Sequence, residues 1–554
     1  MTDQRARPDL DLFSSLRAER ATLTGHYQEL ARFIWPDHAV FNRPVGAQQE
    51  GEKRAQEVVD PTAPIAADRC ASALMSMTAP THKQYQKLDI DDEELRELPE
   101  VKAWLEFATD TLFRHRYAPL SGFAAQYHEG CKSAVVFGPM VTFVEDGLHE
   151  GPRYVGLSLS NTYFTSDAQG RVNGLVREES FNASQLADKF GVDALPQKVR
   201  AALSSPSQGV RLQPWTVVHV VQSQEKQAAT GFTYVSRYSM AEGYTVLEER
   251  GYRVKPFAVA RYSTMPSEKY GRSIAMLLLP AIKGLNRAVA DYISGVHRQV
   301  DPPLLAFDDD GAMTAVVNRP GRVTSGGLDS EGRHLVAPLS QPGNLGWADS
   351  HIERQERQIN DGFMTTLFQI LTSEPSSRQQ TAYEVSVREV EKAALLSPAT
   401  DKINDEYFGA LVPRELDILT AMGRIPPMPE VLRGREHEIK VTHTGELSLA
   451  QQADELLGIQ RTLEVAPLFQ AQDQTATRRI KWDAALKRFA EGSGMAANLL
   501  RTDEEFQELA QADEQAQAAA QAAELAPGAG TAAKSFAEAE QIRQGQAAAL
   551  GGLV

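Results

Sequence analysis

The middle of this 554-residue chain, residues 270–424, is a series of long helical periodicities in a fixed order, and that series limits the fold most. From Tyr270-Gly271-Arg272-Ser273 to about Val300, Ile274, Leu278, Ile282, Leu285, Val289, Ile293 and Val296 recur every three or four positions, which predicts one amphipathic helix. At ~1.5 Å per residue it reaches ~40 Å. Pro280 removes a backbone donor inside it and predicts a bend. A Pro/Gly-rich insert follows, and then a second helix, Ala348 to Leu371, with Ile352, Ile359, Phe363, Leu367 and Ile370 on one side. A polar break, Thr372 to Gln380, precedes a third helix that starts at Thr381-Ala382-Tyr383-Glu384. Pro398 and Pro413 predict kinks or short breaks in it before its end at Gly423. Two long helices enclosing an insert suit a scaffold that spans a distance, not a pocket.

The first 265 residues or so read as an α+β region. Leu12, Leu16, Leu23, Tyr27, Leu30 and Ile34 keep helical spacing up to Trp35-Pro36. Further helices carry Ala66 to Met77, begin behind Pro99, and run from Ser121 to Phe137 before Gly138-Pro139. Strand-like runs then dominate (141–144, 153–159, 171–177, 215–222, 231–238, 244–248 and 257–262), interrupted by a short helix at Ser184 to Phe190. After Pro426-Pro427-Met428-Pro429 a short strand, Glu438 to Val441, leads to more helices. From about Glu504 an Ala/Gln/Glu-rich tract has helix propensity but little to bury, so its end is expected to be mobile. The fold class is therefore α+β, predominantly helical.

Composition excludes several function classes. Cys70 and Cys131 cannot make a disulfide framework, and they read as small apolar residues, half buried. The first thirty residues lack the basic-then-apolar form of a secretory signal, and the longest apolar run, Ile274 to Ile282, is far short of the ~20 residues of a membrane span. A net charge of −16 argues against gripping nucleic acid by general electrostatics, though not against a surface past which DNA slides.

No catalytic site emerges from spacing. Ser325-Gly326-Gly327-Leu328-Asp329-Ser330 matches SGGxDS, the pyrophosphate loop of ATP pyrophosphatases, which implies an ATP-dependent ligase as one alternative. That loop needs a buried strand before it and a helix after it, and neither Asn318 to Thr324 nor Glu331-Gly332-Arg333 fits. Gly156-Leu157-Ser158-Leu159-Ser160 lacks the second glycine of a nucleophile elbow. Asp308-Asp309-Asp310-Gly311 lacks calcium-loop spacing, and His437 and His443 read as surface histidines without metal-site spacing. No cofactor or metal is expected.

A set of short segments in fixed order over about 420 residues carries a family resemblance. They are Ile34-Trp35-Pro36, Asp60-Pro61-Thr62-Ala63, Leu74 to Pro80, Arg261-Tyr262, Glu268 to Ser273, Leu285-Asn286, Asp301-Pro302-Pro303, Pro320-Gly321, Thr381 to Val385, Gly423 to Pro426 and Leu449-Ala450-Gln451-Gln452. The chain resembles a podovirus-type bacteriophage portal protein, the head-to-tail connector. The resemblance implies a ring, expected to be a dodecamer, around a central tunnel for double-stranded DNA. It assigns residues 1–269 to a wing, 270–300 to a first stem helix, 301–345 to a clip and 346–371 to a second stem helix. A tunnel loop at 372–380, a long kinked helix at 381–424, wing and crown helices at 425–503 and a crown with a mobile tail at 504–554 complete it. Terminase, tail adaptor, major capsid and scaffolding proteins are the implied partners; the virion, with the host cytoplasm during assembly, is the implied location. Another oligomeric virion adaptor is a further alternative. Arg378 in the loop, and some of Lys283, Arg287 and Arg298 on the first stem helix, are the expected contacts to DNA phosphates.

Overall fold

The computed structural model describes residues 6–46, 51–306, 331–365 and 398–443, short gaps apart, with Leu328 and scattered positions between 458 and 489. Residues to Ser448 form one compact unit, and the chain beyond it a second. The tunnel-loop residues 372–380, residues 381–397 and the tail at 504–554 lie outside the described residues, as do Asp308 to Gly311 and His437.

The predicted N-terminal helix is two helices, α1 (Ala6–Glu19) and α2 (Ala21–Ile34). The break falls at Arg20, whose side chain is nearly inaccessible and ties down a distant loop. Its guanidinium donates to the carbonyls of Leu159 (2.6 Å), Ser160 (3.0 Å) and Thr162 (2.5 Å) and lies 3.9 Å over the Tyr163 ring. Leu16 and Leu23 are seven residues apart and stay in phase across Arg20, so the sequence pattern hides the break.

Chain order continues with α3 (Thr62–Thr78), β1 (Gln86–Ile90), α4 (Glu93–Arg96), α5 (Pro99–Arg116) and α6 (Phe123–Phe137). Gly138, with φ of 107°, ends α6 where a side chain would be strained. Then come β2 (Pro139–Asp146), β3 (Pro152–Gly156), β4 (Thr162–Ser166), β5 (Val172–Phe181), α7 (Ala183–Phe190), α8 (Gln197–Leu203), α9 (Gln208–Arg211), β6 (Trp215–Ser223), β7 (Tyr234–Met240), β8 (Thr245–Tyr252) and β9 (Phe257–Arg261). The strand predictions hold at all seven sites; β1 and β4 are additions, because five-residue runs flanked by polar turns give too little alternation to stand out.

Two antiparallel sheets result, one ordered β3-β2-β9 and one β4-β5-β6-β7-β8. Alternation in β6 serves two cores: Val218 and Val220 meet Leu16 of α1, while Val217 joins Leu186 of α7 and Val199 of α8. His219 lies on the same face as Val217 and is fully buried. Arg177 Nε donates to its Nδ1 (3.0 Å), its Nε2 lies 2.7 Å from Ser236 Oγ, and Tyr238 stacks on it at 4.0 Å. Burial, then the Arg177 charge, holds this imidazole well below its ordinary value of 6.5. The unfolded chain therefore takes the proton first, so the stability His219 gives is complete above ~6.5 and declines as pH falls below it. In denaturant titrations, the stability difference between wild type and His219→Gln should shrink by about 1.4 kcal/mol per pH unit below that point.

The chain then forms α10 (Ile274–Val300), β10 (Leu304–Ala306), β11 (Val336–Pro338) and α11 (Leu345–Gly362). α10 matches the predicted first long helix and continues through Pro280. α11 begins three residues earlier than predicted; Leu367 and Ile370 lie outside the described residues. Residues 398–403 are helical, Asn404–Phe408 make a π-helical turn, and α12 (Gly409–Ala421) runs on through Pro413. The irregularity expected at the prolines thus includes a wide turn ahead of Pro413. β12 (Ile439–His443) pairs antiparallel with β1, joining segments about 350 residues apart in the chain. Cys70 and Cys131 are both free and buried in the main core, a correction to their expected half burial. His443 is partly buried against Phe408, at 6.0 Å between rings, and not a surface residue.

Candidate functional site: a helical hairpin anchored on the α+β body

α10 and α11 form an antiparallel hairpin. Gly284 lies beside Gln355, and Gly362 takes the Leu278 side chain so closely that a Cβ would stand 2.6 Å from it. The shared core includes Leu278, Leu279, Ile282 and Leu285 of α10 with Ile352, Ile359 and Phe363, so the apolar stripes read from the sequence are the ones buried here. Toward the far end the burial stops: Ile293 is exposed and Val300 is 80% accessible.

The body holds the lead-in to α10 through backbone contacts. Gly271 has φ of 71°, and a Cβ there would sit 2.4 Å from the Ser263 carbonyl oxygen, to which Arg272 N donates (2.7 Å). Ser273 Oγ accepts from Met276 N (3.1 Å), capping the helix, and donates to Val136 O (2.8 Å). Tyr270 OH accepts from Phe164 N (3.2 Å). The segment Tyr270-Gly271-Arg272-Ser273 is thus a joint, each residue with its own attachment.

A second anchor sits along α10. Asn286 is buried on the apolar face, and its Oδ1 accepts from Val59 N (2.9 Å) and Asp60 N (3.1 Å). Asp60 Oδ1 in turn accepts from Thr62 N (2.8 Å) at the start of α3. Two of the short segments singled out in the sequence, Asp60-Pro61-Thr62 and Leu285-Asn286, therefore touch. An asparagine on an apolar helical face has to find partners, and that was the available signal.

The returning helix is fastened by ion pairs. Glu406, in the π-helical turn, accepts from Arg261 Nη2 (2.6 Å) and Nε (3.2 Å) and from its backbone N (3.0 Å). Tyr407 OH donates to Thr142 Oγ1 (2.9 Å). Arg116 of α5 and Glu415 of α12 form a bidentate pair at 3.0 and 2.6 Å, each side chain only 1% accessible. Arg116 Nη1 also donates to Tyr85 OH (2.9 Å) and Gln86 Oε1 (2.8 Å), and Tyr154 OH bonds Glu415. Burial works against the Arg116 cation, but the Glu415 carboxylate together with Tyr85 and Tyr154 holds it well above its ordinary range. Sequence reading passed over this pair; a glutamate between Leu411, Val412, Ile418 and Leu419 on a buried helical face was its only sign.

The basic residues singled out on α10 share one side of it. Lys283, Arg287 and Arg298 fall within about 60° of one another at ~100° per residue. Lys283 pairs with the half-buried Glu29 of α2 (2.7 Å) and Arg287 loosely with Asp291 (3.9 Å); Lys283, Arg287 and Asp291 are exposed, as is Arg298 in the last turn. Arg378 lies outside the described residues. On α11, Asp349, Glu353 and Glu356 form an acidic stripe; burial, then Asp60, Glu353 and Asp349, raises the Glu356 carboxyl.

Little in this arrangement suggests chemistry on a bound small molecule. Among the described residues no group of His, Cys, Asp or Glu is placed to hold a metal, and no helix is long and apolar enough to cross a membrane. In the SGGLDS segment only Leu328 is described; it bridges back to His334, and a turn and β11 follow where the pyrophosphate loop requires a helix. Ser158 Oγ meets Ser160 Oγ (2.9 Å), with no histidine in that hydrogen bond.

Residues 10–500 match the model of a family described as bacteriophage head to tail connecting protein. The chain is 22% identical over 533 residues to the portal protein of Salmonella phage epsilon15, covering 91% of this chain and 90% of that one. It is 25% identical over 465 residues to a probable portal protein of Bordetella phage BPP-1, covering 80% and 79%. Among solved structures it is similar to a chain in the virion of a native gene transfer agent particle (12% identity, TM-score 0.35, 77% of this chain and 92% of that one). A second such chain is in the neck of that particle computed with C12 symmetry (12% identity, TM-score 0.34, 72% and 85%).

Proposed function

Since the chain belongs to the family of bacteriophage head to tail connecting proteins and has a portal function in the virion, we propose that it works as a closed ring of twelve copies through which DNA enters and leaves the head. The observation that carries this reading is the anchored hairpin. α10 and α11 are held to the body at the Tyr270–Ser273 lead-in and again at Asn286, which suits a wall that must stay rigid while a duplex moves past it. In this reading residues 1–269 with α12 and β12 are the wing, α10 and α11 the stem, and residues 301–345 the clip. Terminase and then tail adaptors dock on the clip; capsid and scaffolding proteins meet the body during assembly in the host cytoplasm. The ring is structural, and ATP hydrolysis belongs to the terminase.

The net charge of −16 per copy supports a conduit that does not bind what passes through it. Within such a wall a few cations guide the phosphates, and we assign that role to Arg378 in the loop at 372–380 and to Arg298 at the exposed end of α10. Electron microscopy of the purified protein tests the ring: rings with a central hole are expected, and compact monomers at micromolar concentration would sink the reading. In assembled particles, Arg378→Glu should lower DNA packaging or retention; unchanged DNA content would remove Arg378 from the wall.

A further inference from the structure

The two edges of the α10/α11 hairpin carry opposite net charge, with Asp291 standing among the cations of α10 and Arg357 beside the carboxylates of α11. On α10, Gly284 and Leu278 mark the side that meets α11, and Lys283, Arg287 and Arg298 are turned roughly 130° away from it at ~100° per residue. On α11, Gln355 and Gly362 mark the side that meets α10, and Asp349, Glu353 and Glu356 are again turned roughly 130° away. Because the helices are antiparallel and share one buried side, the stripes lie on opposite edges of the hairpin. The register places Lys283 at the height of Glu356 and Arg287 at the height of Glu353.

Within the chain these edges have only solvent-accessible partners, Lys283 pairing with Glu29 of α2 at 2.7 Å. Arg287 is 87% exposed, with only the 3.9 Å contact to Asp291, and Glu353 is 58% exposed, with its i,i+4 partner Arg357. Exposed pairs of this kind contribute little and exchange readily. On the acidic edge burial, then the charges of Asp60, Glu353 and Asp349, raises the Glu356 carboxyl, so a cation brought beside it would be favoured.

We infer that the basic edge of α10 docks against the acidic edge of α11 in a second copy of this chain, with Lys283 facing the partner's Glu356 and Arg287 the partner's Glu353. Two different edges meeting head to tail make a heterologous contact, the kind that closes into a ring. The inference rests on the ring reading above but assigns Lys283 and Arg287 to the neighbouring copy and not to DNA.

The test uses the full-length protein and counts rings by mass photometry and negative-stain microscopy. Arg287→Glu alone and Glu353→Arg alone should each weaken assembly by about tenfold per interface or more, because like charges then face each other. Both variants should keep the wild-type circular dichroism and unfolding midpoint. Combining the two substitutions in one chain should restore rings. So should mixing the two single variants, since the carboxylate introduced in one then meets the guanidinium introduced in the other and the copies alternate. Singly substituted chains that assemble like wild type overturn the inference; if their particles also lose DNA, the edge faces the duplex. A double variant that stays unassembled while folded overturns it as well. Wild-type protein that never forms rings overturns the ring reading, and the pairing with it.

Discussion

Replacing Arg116 with methionine should destabilise the body by about 3–5 kcal/mol, the largest single-residue effect expected in this chain. The guanidinium holds Glu415, Tyr85 and Gln86 at once, and its loss leaves a carboxylate stranded in a site with 1% accessibility. Because Arg116 is on α5 and Glu415 on α12, 299 residues later, the variant should also loosen the returning helix. Urea unfolding of the purified protein measures the loss, and limited proteolysis around 398–423 should show the loosening. The double variant Arg116→Met with Glu415→Leu removes both charges and should recover much of the stability, since a buried pair replaced by apolar groups is often neutral. A double variant as unstable as the single one would show that the aromatic packing around Arg116, and not the charge, carries the site.

Gly271→Ala should cost about 2–4 kcal/mol and act on the hairpin's anchorage. Two terms add: φ of 71° is a region an L side chain enters at a cost, and the new Cβ would press on the Ser263 carbonyl at 2.4 Å. The carbonyl cannot retreat easily, because it accepts the Arg272 amide (2.7 Å) on which the start of α10 depends. Hydrogen exchange should show faster opening of the first turns of α10 than of the five-stranded sheet. Gly332, which also has positive φ but nothing within reach of a Cβ, is the control: alanine there should cost only the backbone term. Equal losses at the two glycines would mean that the contact with Ser263 contributes nothing.

Much of the secondary structure is readable locally. The helices from Thr62, Pro99 and Ile274, and the stops at Trp35 and Gly138, follow from 3.6-residue apolar spacing and from residues that cannot continue a helix. The run through Arg20 shows where this fails: the spacing permits one helix, but three carbonyls of a loop 139 residues or more away select a break. β1 shows it again, since its five residues make a strand only where β12 completes the pair.

For the functional surface the division is similar. Lys283, Arg287 and Arg298 can be picked out as charges on the polar side of a helix, and the resemblance attaches them to DNA. That the acidic stripe of α11 occupies the opposite edge, at matching heights, depends on the antiparallel register set by Gly284 and Gly362. A helical wheel contains no such information, because it describes one helix about its own axis.

By itself, then, the sequence determined the helices and most strands, the acid balance and the family to which the chain belongs, all properties carried by neighbours within a few turns or by short segments in order. Only the tertiary structure decided that Asn286 meets Asp60, that Arg116 meets Glu415, and that the long helical series at 270–362 is a hairpin with one basic and one acidic edge. The physical reason is that a buried polar group or an exposed charge is satisfied by whatever packing brings within about 3 Å, and chain separation places no limit on that partner.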